Sequence, residues 1–554
     1  MMPGGTQRFD YIIVGAGSAG CVLANRLSED ASCSVALIEA GDWDRDPLIH
    51  IPMAWGHNVL HRKHDWLFDS EPMASLGERR VPVYRGKVMG GSSSTNAMAY
   101  VRGHASDYDA WAQAGCHGWS FKDVLPYFRR SENWEGGGNK FRGDRGPLGV
   151  VETRFPDALL TAFIETGAAL GYPVTSDYNG RQQEGFGWGQ HTIRDGRRCS
   201  AATAYLRPAI RRKNLKVLSQ AHVRHVLIDG KRATGVAVAQ SGRLFHLRAE
   251  REVILSAGAI QSPHILMNSG VGDASHLTAA GLPCHLHLPG VGRNLQEHVT
   301  IGLDCERASP GTLHGAMRID RLTRHLLQSY LFGRGLAGRL PNGVMAFIRT
   351  RPELIAPDLQ LMFRVAPMTA RPYLASFRQS YVDGFGCRPT ILRPTSRGSV
   401  SLNPGQAHDH PQAPPRIDLN LLDTPEDLAS LREGFRLARR VFAQPLIAGY
   451  TKREIIPGPD IQSDDEINAY IREAASTMFH PAGTCRMGAE DNPETVISPE
   501  LKVKRISGLR VVDASVMPTL VGGNINAAVI MLAERASDLI RNRSLPPDEL
   551  SNAA

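Results

Sequence analysis

The chain lacks any apolar run approaching the roughly 18 residues of a membrane span. Its first residues, Met1 to Arg8, lead into a β-branched segment without the apolar core of a signal peptide. A cytoplasmic protein with no transmembrane segment is expected, with peripheral membrane contact left open. Paired cysteines are lacking as well: the eight (21, 33, 116, 199, 284, 305, 387 and 485) stand singly with no Cys-x-x-Cys, which argues against a zinc site and a disulfide scaffold. Long runs of one charge are also missing. The net charge is +8 with a pI near 9.1, but the basic clusters are as short as Arg211-Arg-Lys213 and Lys502-Val-Lys-Arg505, so a solvated basic surface is expected and no nucleic-acid partner. No internal repeat of about 20 to 50 residues is present, which excludes solenoids and propellers.

What the chain has is length and turns. Its 554 residues, with 55 Gly and 35 Pro, exceed what one core sustains, since single cores stop growing at roughly 250 to 300 residues. Two closely joined domains are expected. The first unit reads as βαβ: Phe9 to Val14 is a short strand, Gly15 to Gly20 a tight turn, Cys21 to Leu27 an apolar-faced helix, and Ser34 to Glu39 a second strand. Residues 40 to 130 are rich in Gly, Pro and Trp with weak periodicity, as in loops that wrap a ligand, and Glu135 to Gly138 reads as a turn at a segment boundary. From 215 to 257 strand patterns follow one another, ending at Ala257-Gly258. Strands are also read at Leu359 to Val365, Gly398 to Leu402 and Leu509 to Asp513, with a Pro-rich loop at His408 to Arg416 and a helix at Ala527 to Ile540.

Gly15-Ala-Gly-Ser-Ala-Gly20 fits G-x-G-x-x-G after a strand and at the start of a helix. Glycines there permit a tight turn and close backbone approach, and the helix N-terminus favours a pyrophosphate. Glu39, at the end of the second strand, is placed to bind ribose hydroxyls. An acid there disfavours a 2′-phosphate and suits either NAD or the AMP half of FAD. The fingerprint alone does not choose between them.

Further blocks do. Arg85-Gly-Lys-Val-Met-Gly-Gly-Ser-Ser-Ser-Thr-Asn-Ala-Met98, Gly258 to Gly272, Gly290-Val-Gly-Arg-Asn-Leu-Gln-Glu-His298, His480 to Gly488 and Val512 to Asn526 together resemble the glucose-methanol-choline (GMC) family of FAD-dependent alcohol oxidoreductases, in its choline dehydrogenase-like branch. The likeness spans about residues 9 to 540 and is weakest from 300 to 390. It implies an α/β protein, α+β overall: a Rossmann-like FAD-binding domain (9–155, 210–300 and 478–545) interleaved with a substrate domain (156–209 and 301–477) built on an antiparallel sheet with helices.

The resemblance assigns cofactor contacts to Gly15, Gly17, Ser18, Ala19, Gly20, Glu39, Gly91, Ser92, Asn96, Ala97, Met98, Val223, Asp513, Ala514 and Asn526. Gly90 and Gly91 suit a flat ring because glycine lets backbone come close. Thr95 stands where some family members carry the His that bonds FAD covalently, which implies non-covalent FAD. His480 is the expected catalytic base and Asn524 its hydrogen-bonding partner on the substrate oxygen; a neutral imidazole takes the hydroxyl proton while hydride leaves for flavin N5. The expected reaction is oxidation of a primary alcohol to an aldehyde, with oxygen or a quinone-like carrier as electron acceptor. The alternative is a hydroxynitrile lyase-like protein in which FAD is structural. No acid is assignable to a quaternary ammonium, so choline stands beside aliphatic, benzylic and furanic alcohols. His298 is open between a cofactor-side and a structural role, and Met478 and Phe479 between pocket and core.

Overall fold

In the computed structural model, described for residues 7–367, 369–374, 380–405 and 413–548, two sheets organise the chain. The elements framing the site are, in chain order, β1 (Gln7–Val14), α1 (Ser18–Leu27), β2 (Val35–Ile38), α2 (Ala158–Ala169), β3 (Gly185–Trp188), β4 (Leu215–Leu218), β5 (Ala221–Asp229), β6 (Arg232–Gln240), β7 (Arg243–Leu255) and α3 (Gly258–Asn268). They continue as β8 (Val299–Thr300), β9 (Leu303–Arg307), β10 (Val344–Ile348), β11 (Leu359–Arg364), β12 (Gly384–Ile391), α4 (Pro425–Phe442), β13 (Thr451–Ile456), α5 (Asp464–Ala474), β14 (Ser476–Thr477), β15 (Leu509–Val511) and α6 (Asn526–Ile540).

The first sheet runs β4-β2-β1-β7-β6-β5, with β15 also on β7. Its β1, β2, β4 and β15 pairings are parallel, and the Ile12 to Val14 and Val35 to Ile38 side chains are buried without alternation, as strands covered on both faces require. The long β7 turns the architecture: its C-terminal half pairs parallel with β1, its N-terminal half antiparallel with β6. The expected βαβ unit is present, with α1 starting at Ser18 rather than Cys21.

The second sheet is antiparallel, in the order β13-β9-β12-β11-β10-β3, with β8 joining β12 to β14. Helix α4 covers one face. Phe442 of α4 stacks near Phe363 and Phe385, with ring centroids 5.9 and 5.2 Å apart, and a Cβ on Gly434 would meet Leu359 Cδ1 at 2.5 Å. The opposite face carries Met345 and Phe347, which cluster with Leu392, Tyr178, Ala99 and Val101. This face is therefore turned toward the glycine-rich loops of the first sheet.

One detail differs from the sequence reading. Glu135 to Gly138 is a turn inside a small sheet that pairs Glu132–Trp134, Leu148–Glu152 and Gln190–His191, so pairing continues across it. Residues 408–412 of the Pro-rich loop lie outside the described residues, and only Arg416–Asp418 beyond them forms a strand, paired with Ser399–Ser401. Among the described residues no helix is long and apolar enough to cross a membrane.

Glycine is required where the loops abut. A Cβ on Gly20 would lie 1.8 Å from the Gly15 carbonyl oxygen, and one on Gly91, at φ +53°, would lie 2.7 Å from Gly17 Cα. Gly20→Ala should therefore destabilise the fold by about 3 kcal/mol or more, read as a fall in thermal midpoint; a midpoint within a degree of the wild type would show that this approach carries no constraint.

Candidate active site

Helix α1 opens at Gly17, which offers no side-chain cap, so its first amide N–H groups are left for an anion. A Cβ on Gly17 would meet only the Ser256 carbonyl at 4.0 Å, and one on Gly258, at the start of α3, would meet nothing within 4 Å. Open ground thus lies at the C-terminal ends of β1 and β7, where ligands bind in open α/β sheets. Glu39 is buried and already committed: its carboxylate accepts from Ala16 N–H and Gly41 N–H, each at 2.8 Å, and burial lifts its pKa to about 7. It holds the fingerprint loop together, with lone pairs left for a ribose hydroxyl.

The other predicted contacts line the same edge in different ways. Ser18 Oγ donates to Asn526 Oδ1 at 2.7 Å, tying α1 to the start of α6. Asp513 Oδ2 accepts from Gly258 N–H at 2.9 Å and Ser262 Oγ at 2.6 Å, and Oδ1 accepts from Ser515; the following Ala514 carbonyl accepts from Gly483 N–H at 3.1 Å. Ser92 Oγ accepts from Gly86 N–H. Asn96 Oδ1 accepts from Met98 N–H at 3.0 Å and Arg198 Nη1 at 2.8 Å, which holds Met98 at φ +63° with its side chain buried. Ala97 and Asn96 stay partly exposed. Ala19 and Gly20 are buried in α1, and Val223 is buried on β5. Asn524, His480 and Asn526 are partly exposed and close in sequence to this edge.

His480 and Asn524 meet. Asn524 Nδ2 lies 3.3 Å from His480 Nε2. Asn524 follows Gly522-Gly523, whose backbone is clamped by Asp107, which accepts from Gly522 N–H at 2.8 Å, and by Gln183, which donates to the Gly522 carbonyl at 2.9 Å. A Cβ on Gly523 would strike Val101 Cγ1 at 2.3 Å, so this tight passage requires glycine. Gln360 on β11 donates toward Asn524 Oδ1 at 3.4 Å, which brings the second sheet into the site.

His298 is a full member of the site. Residues 296–298 and 478–482 run side by side: Gln296 and Ala482 exchange two backbone bonds of 3.0 Å, and Met478 N–H donates to the His298 carbonyl at 3.0 Å. The two imidazoles stand edge to face, 89° apart, with Nδ1 of His298 2.9 Å from Nδ1 of His480. His298 Nε2 lies 3.1 Å from the Leu392 carbonyl. A carbonyl only accepts, so His298 Nε2 carries the hydrogen and its Nδ1 offers a lone pair; His480 Nδ1–H then donates to it. The remaining lone pair of His480 is on Nε2, on the Asn524 side. The tautomer follows from the hydrogen-bond chain.

Both rings are held neutral. Burial, then His298 and Arg85, push the His480 pKa well below 6.5, and burial pushes His298 down to about 4. The loops are fixed by a residue that sequence reasoning passed over: Glu297 Oε1 accepts from both His298 N–H at 2.9 Å and His480 N–H at 2.7 Å. Its other oxygen is buried without a hydrogen-bond partner among the described residues. Burial raises its pKa to about 8, against the pull of Arg85, whose guanidinium donates to the Phe479 carbonyl. Phe479 sits at φ +62°, with its ring 5.5 Å from that of Tyr84. The Gln-Glu-His298 block was visible in the sequence, but nothing local marked Glu297 as the brace of both loops.

A buried acid of raised pKa binds a proton more tightly folded than unfolded, so its contribution is complete below about 4.5 and is lost as pH rises through about 8. Glu297→Gln lacks this loss. Thermal midpoints measured from pH 5 to pH 9 should show the variant gaining on the wild type as pH rises; a constant difference would place the titration elsewhere.

Comparison with known proteins shows what the chain is similar to. The family model for the N-terminal part of GMC oxidoreductases matches residues 9–300 and that for the C-terminal part residues 394–533. The chain is 43% identical over 536 residues to a protein of Brucella ovis named oxygen-dependent choline dehydrogenase, covering 97% of this chain and 96% of the relative. It is 41% identical over 548 residues to the human mitochondrial choline dehydrogenase, covering 97% and 90%. Among solved structures, pyridoxine 4-oxidase from Mesorbium loti superposes with a TM-score of 0.84 at 33% identity, covering 97% of this chain and all of that one.

Proposed function

Because the chain belongs to the GMC oxidoreductase family, an FAD-dependent group acting on CH–OH bonds, we propose that it oxidises a primary alcohol to the aldehyde with His480 as base and Asn524 as partner of the substrate oxygen. The observation that carries this reading is the fixed His480 tautomer, with its lone pair on Nε2 beside Asn524 Nδ2.

The residues fit FAD. Gly15, Gly17, Ser18, Ala19 and Gly20 offer a glycine turn and uncapped helix amides for the pyrophosphate, and Glu39 and Val223 flank the adenosine end. Gly91, Ser92, Asn96, Ala97, Met98, Asp513, Ala514 and Asn526 supply the glycine passage, amides and partly exposed polar groups for the remainder. When bound, FAD accepts the two electrons that leave the carbinol carbon as hydride. Binding is non-covalent in this reading: Thr95 has no nucleophilic ring nitrogen, and Arg85 to Met98 contains no His.

His480 Nε2 receives the hydroxyl proton, and Nδ1–H remains on His298, so the positive charge formed on His480 is shared along the chain to the Leu392 carbonyl. Asn524 Nδ2 donates to the substrate oxygen as its negative charge develops. The carbinol therefore loses a proton to His480 and a hydride to the cofactor, which balances alcohol to aldehyde. Oxygen or a quinone-like carrier takes the electrons onward; the Brucella relative is named for dependence on oxygen. In this reading the two sheets correspond to a cofactor-binding and a substrate-binding domain, with the site between them.

Anaerobic mixing with a panel of alcohols should bleach the flavin absorbance, and His480→Ala should slow that bleaching by about 10²- to 10⁴-fold while FAD content is retained. Near-normal reduction by the variant would remove His480 from the base role. Since burial holds the His480 pKa well below 6.5, flavin reduction by the wild type should show no acidic limb between pH 6 and 8. Acid precipitation should release the FAD into the supernatant; yellow colour retained in the pellet would overturn non-covalent binding.

A further inference from the structure

The two ends of the hydrogen-bond chain through the paired histidines lie on segments far apart in sequence. At one end the Leu392 carbonyl accepts from His298 Nε2; at the other, Asn524 Nδ2 faces His480 Nε2. Leu392 is the first residue after β12 and is followed by Arg393, while Asn524 stands two residues after Gly522. Arg393 and Gly522 end on the same carboxylate. Asp107 Oδ1 accepts from Arg393 Nη1, and Asp107 Oδ2 accepts from Gly522 N–H at 2.8 Å.

Asp107 is the third residue of the helix Ala105–Gln113, where its Oδ2 also accepts from His104 N–H at 2.8 Å in a capping box. A capping box uses that contact alone, so it accounts for neither the Gly522 N–H nor the guanidinium. The surroundings of the carboxylate are close-packed. The Asp107 side chain is 1% exposed. A Cβ on Gly103, at φ +88°, would meet Asp107 Oδ2 at 3.0 Å and Val521 Cβ at 3.1 Å, and one on Gly522 would meet Arg393 Nη2 at 2.9 Å. The guanidinium thus lies against the Gly522 backbone as well as on the carboxylate, and its Nη2 is buried without an acceptor among the described residues. Burial dominates the neutral state of His298, and the two charges of the pair act on that ring in opposite directions, Arg393 lowering its affinity for a proton and Asp107 raising it. What the pair adds there is position more than charge.

We propose that Asp107 is a positioning residue for the reaction: its carboxylate ties the Leu392–Arg393 segment to the Gly522–Asn524 segment and so holds the two ends of the His298–His480 chain in place. The proposal rests on His480 acting as base and Asn524 as partner of the substrate oxygen. Charge-assisted hydrogen bonds to a buried carboxylate are short and directional, and a base and a donor work together only while their geometry is held; a displacement of about 1 Å can cost about 10²-fold in rate. An Asn at position 107 keeps an oxygen for the Gly522 and His104 N–H groups but turns its NH₂ toward Arg393, so it cuts one arm of the tie and spares the other. Arg393→Met cuts the same arm from the opposite side.

The test uses the full-length FAD-loaded protein and anaerobic stopped-flow reduction by an alcohol that bleaches the wild-type flavin. Asp107→Asn and Arg393→Met should each lower the limiting rate of reduction by about tenfold or more, with the dissociation constant of the alcohol changed by less than about threefold. The double variant should be no slower than the slower single one, because both cut one tie. As a control, Asp123→Asn removes the corresponding capping-box acid of the helix Phe121–Ser131 and should lower the thermal midpoint while the limiting rate stays that of the wild type. A lowered midpoint alone in Asp107→Asn and Arg393→Met, with the limiting rate of the FAD-loaded protein unchanged, reduces Asp107 to a helix cap and overturns the proposal. Rate changes of opposite sign in the two single variants overturn it as well, since they trace the effect to the unpaired charge that each leaves behind. Failure of every alcohol to bleach the flavin would instead sink the alcohol-oxidation reading. The tie is then read without turnover by nitrogen NMR of histidine-labelled protein, with the His298 signals assigned by their loss in His298→Gln. The wild-type Nδ1 should be a bare ring nitrogen and should move toward the protonated form in both single variants; a signal unmoved in both shows that Asp107 does not hold the chain.

Discussion

One directional hydrogen bond, His480 Nδ1–H to His298 Nδ1 at 2.9 Å, sets the chemistry that the site can perform. An imidazole has two nitrogens and, when neutral, one hydrogen; which nitrogen is basic is decided by whatever the other one touches. Here the Leu392 carbonyl fixes His298, His298 fixes His480, and the free lone pair lands beside Asn524. Burial keeps both rings neutral, so the acceptor is available without a prior loss of a proton. A single reversed orientation in this chain would put an N–H of His480, in place of a lone pair, beside Asn524.

That hydrogen bond exists only because three distant segments are forced together. The short ribbon between 296–298 and 478–482 aligns the two histidines, and Glu297 accepts from the backbone of both. Arg85, from the glycine-rich block, reaches the Phe479 carbonyl beside them. The glycine-rich block and the His480 loop are thus braced by the same few residues. Keeping a carboxyl buried between a guanidinium and two backbone amides, with one oxygen unsatisfied, is costly in isolation; it is tolerated where position matters more than stability.

The second sheet adds a different kind of constraint. Its α4-covered face is apolar along Leu359, Leu361, Phe363, Phe385 and Cys387, with the Arg439–Glu454 ion pair at the β13 edge, whereas its other face mixes Gln360, Thr390 and Met362 with Arg364 and Asp304. The alternation of a β-strand makes this division of labour automatic, since neighbouring residues serve opposite faces. Function can then vary along one face without disturbing the packing of the other.

The amino-acid sequence by itself determined the glycine turn that opens the first helix and the family, and it singled out His480 and Asn524, the proposed base and its partner. Those features rest on contiguous runs: a strand, a glycine turn and a helix for Gly15 to Gly20, and short blocks around Asn96, His480 and Asn524. Local chemistry writes itself locally, because turns, caps and uncapped amides depend on neighbours in the chain. What only the tertiary structure decided was which residues meet across the fold. His298 was legible as part of a block but not as the partner of His480, Glu297 carried no local mark at all, and Gln360, which reaches Asn524, sits in a stretch whose pattern says only strand. Their meaning depends on strand register and on which sheet face meets the cofactor edge, and both are set by pairings between residues far apart in sequence. Hydrogen-bond direction and burial arise from those pairings, and a linear pattern does not contain them.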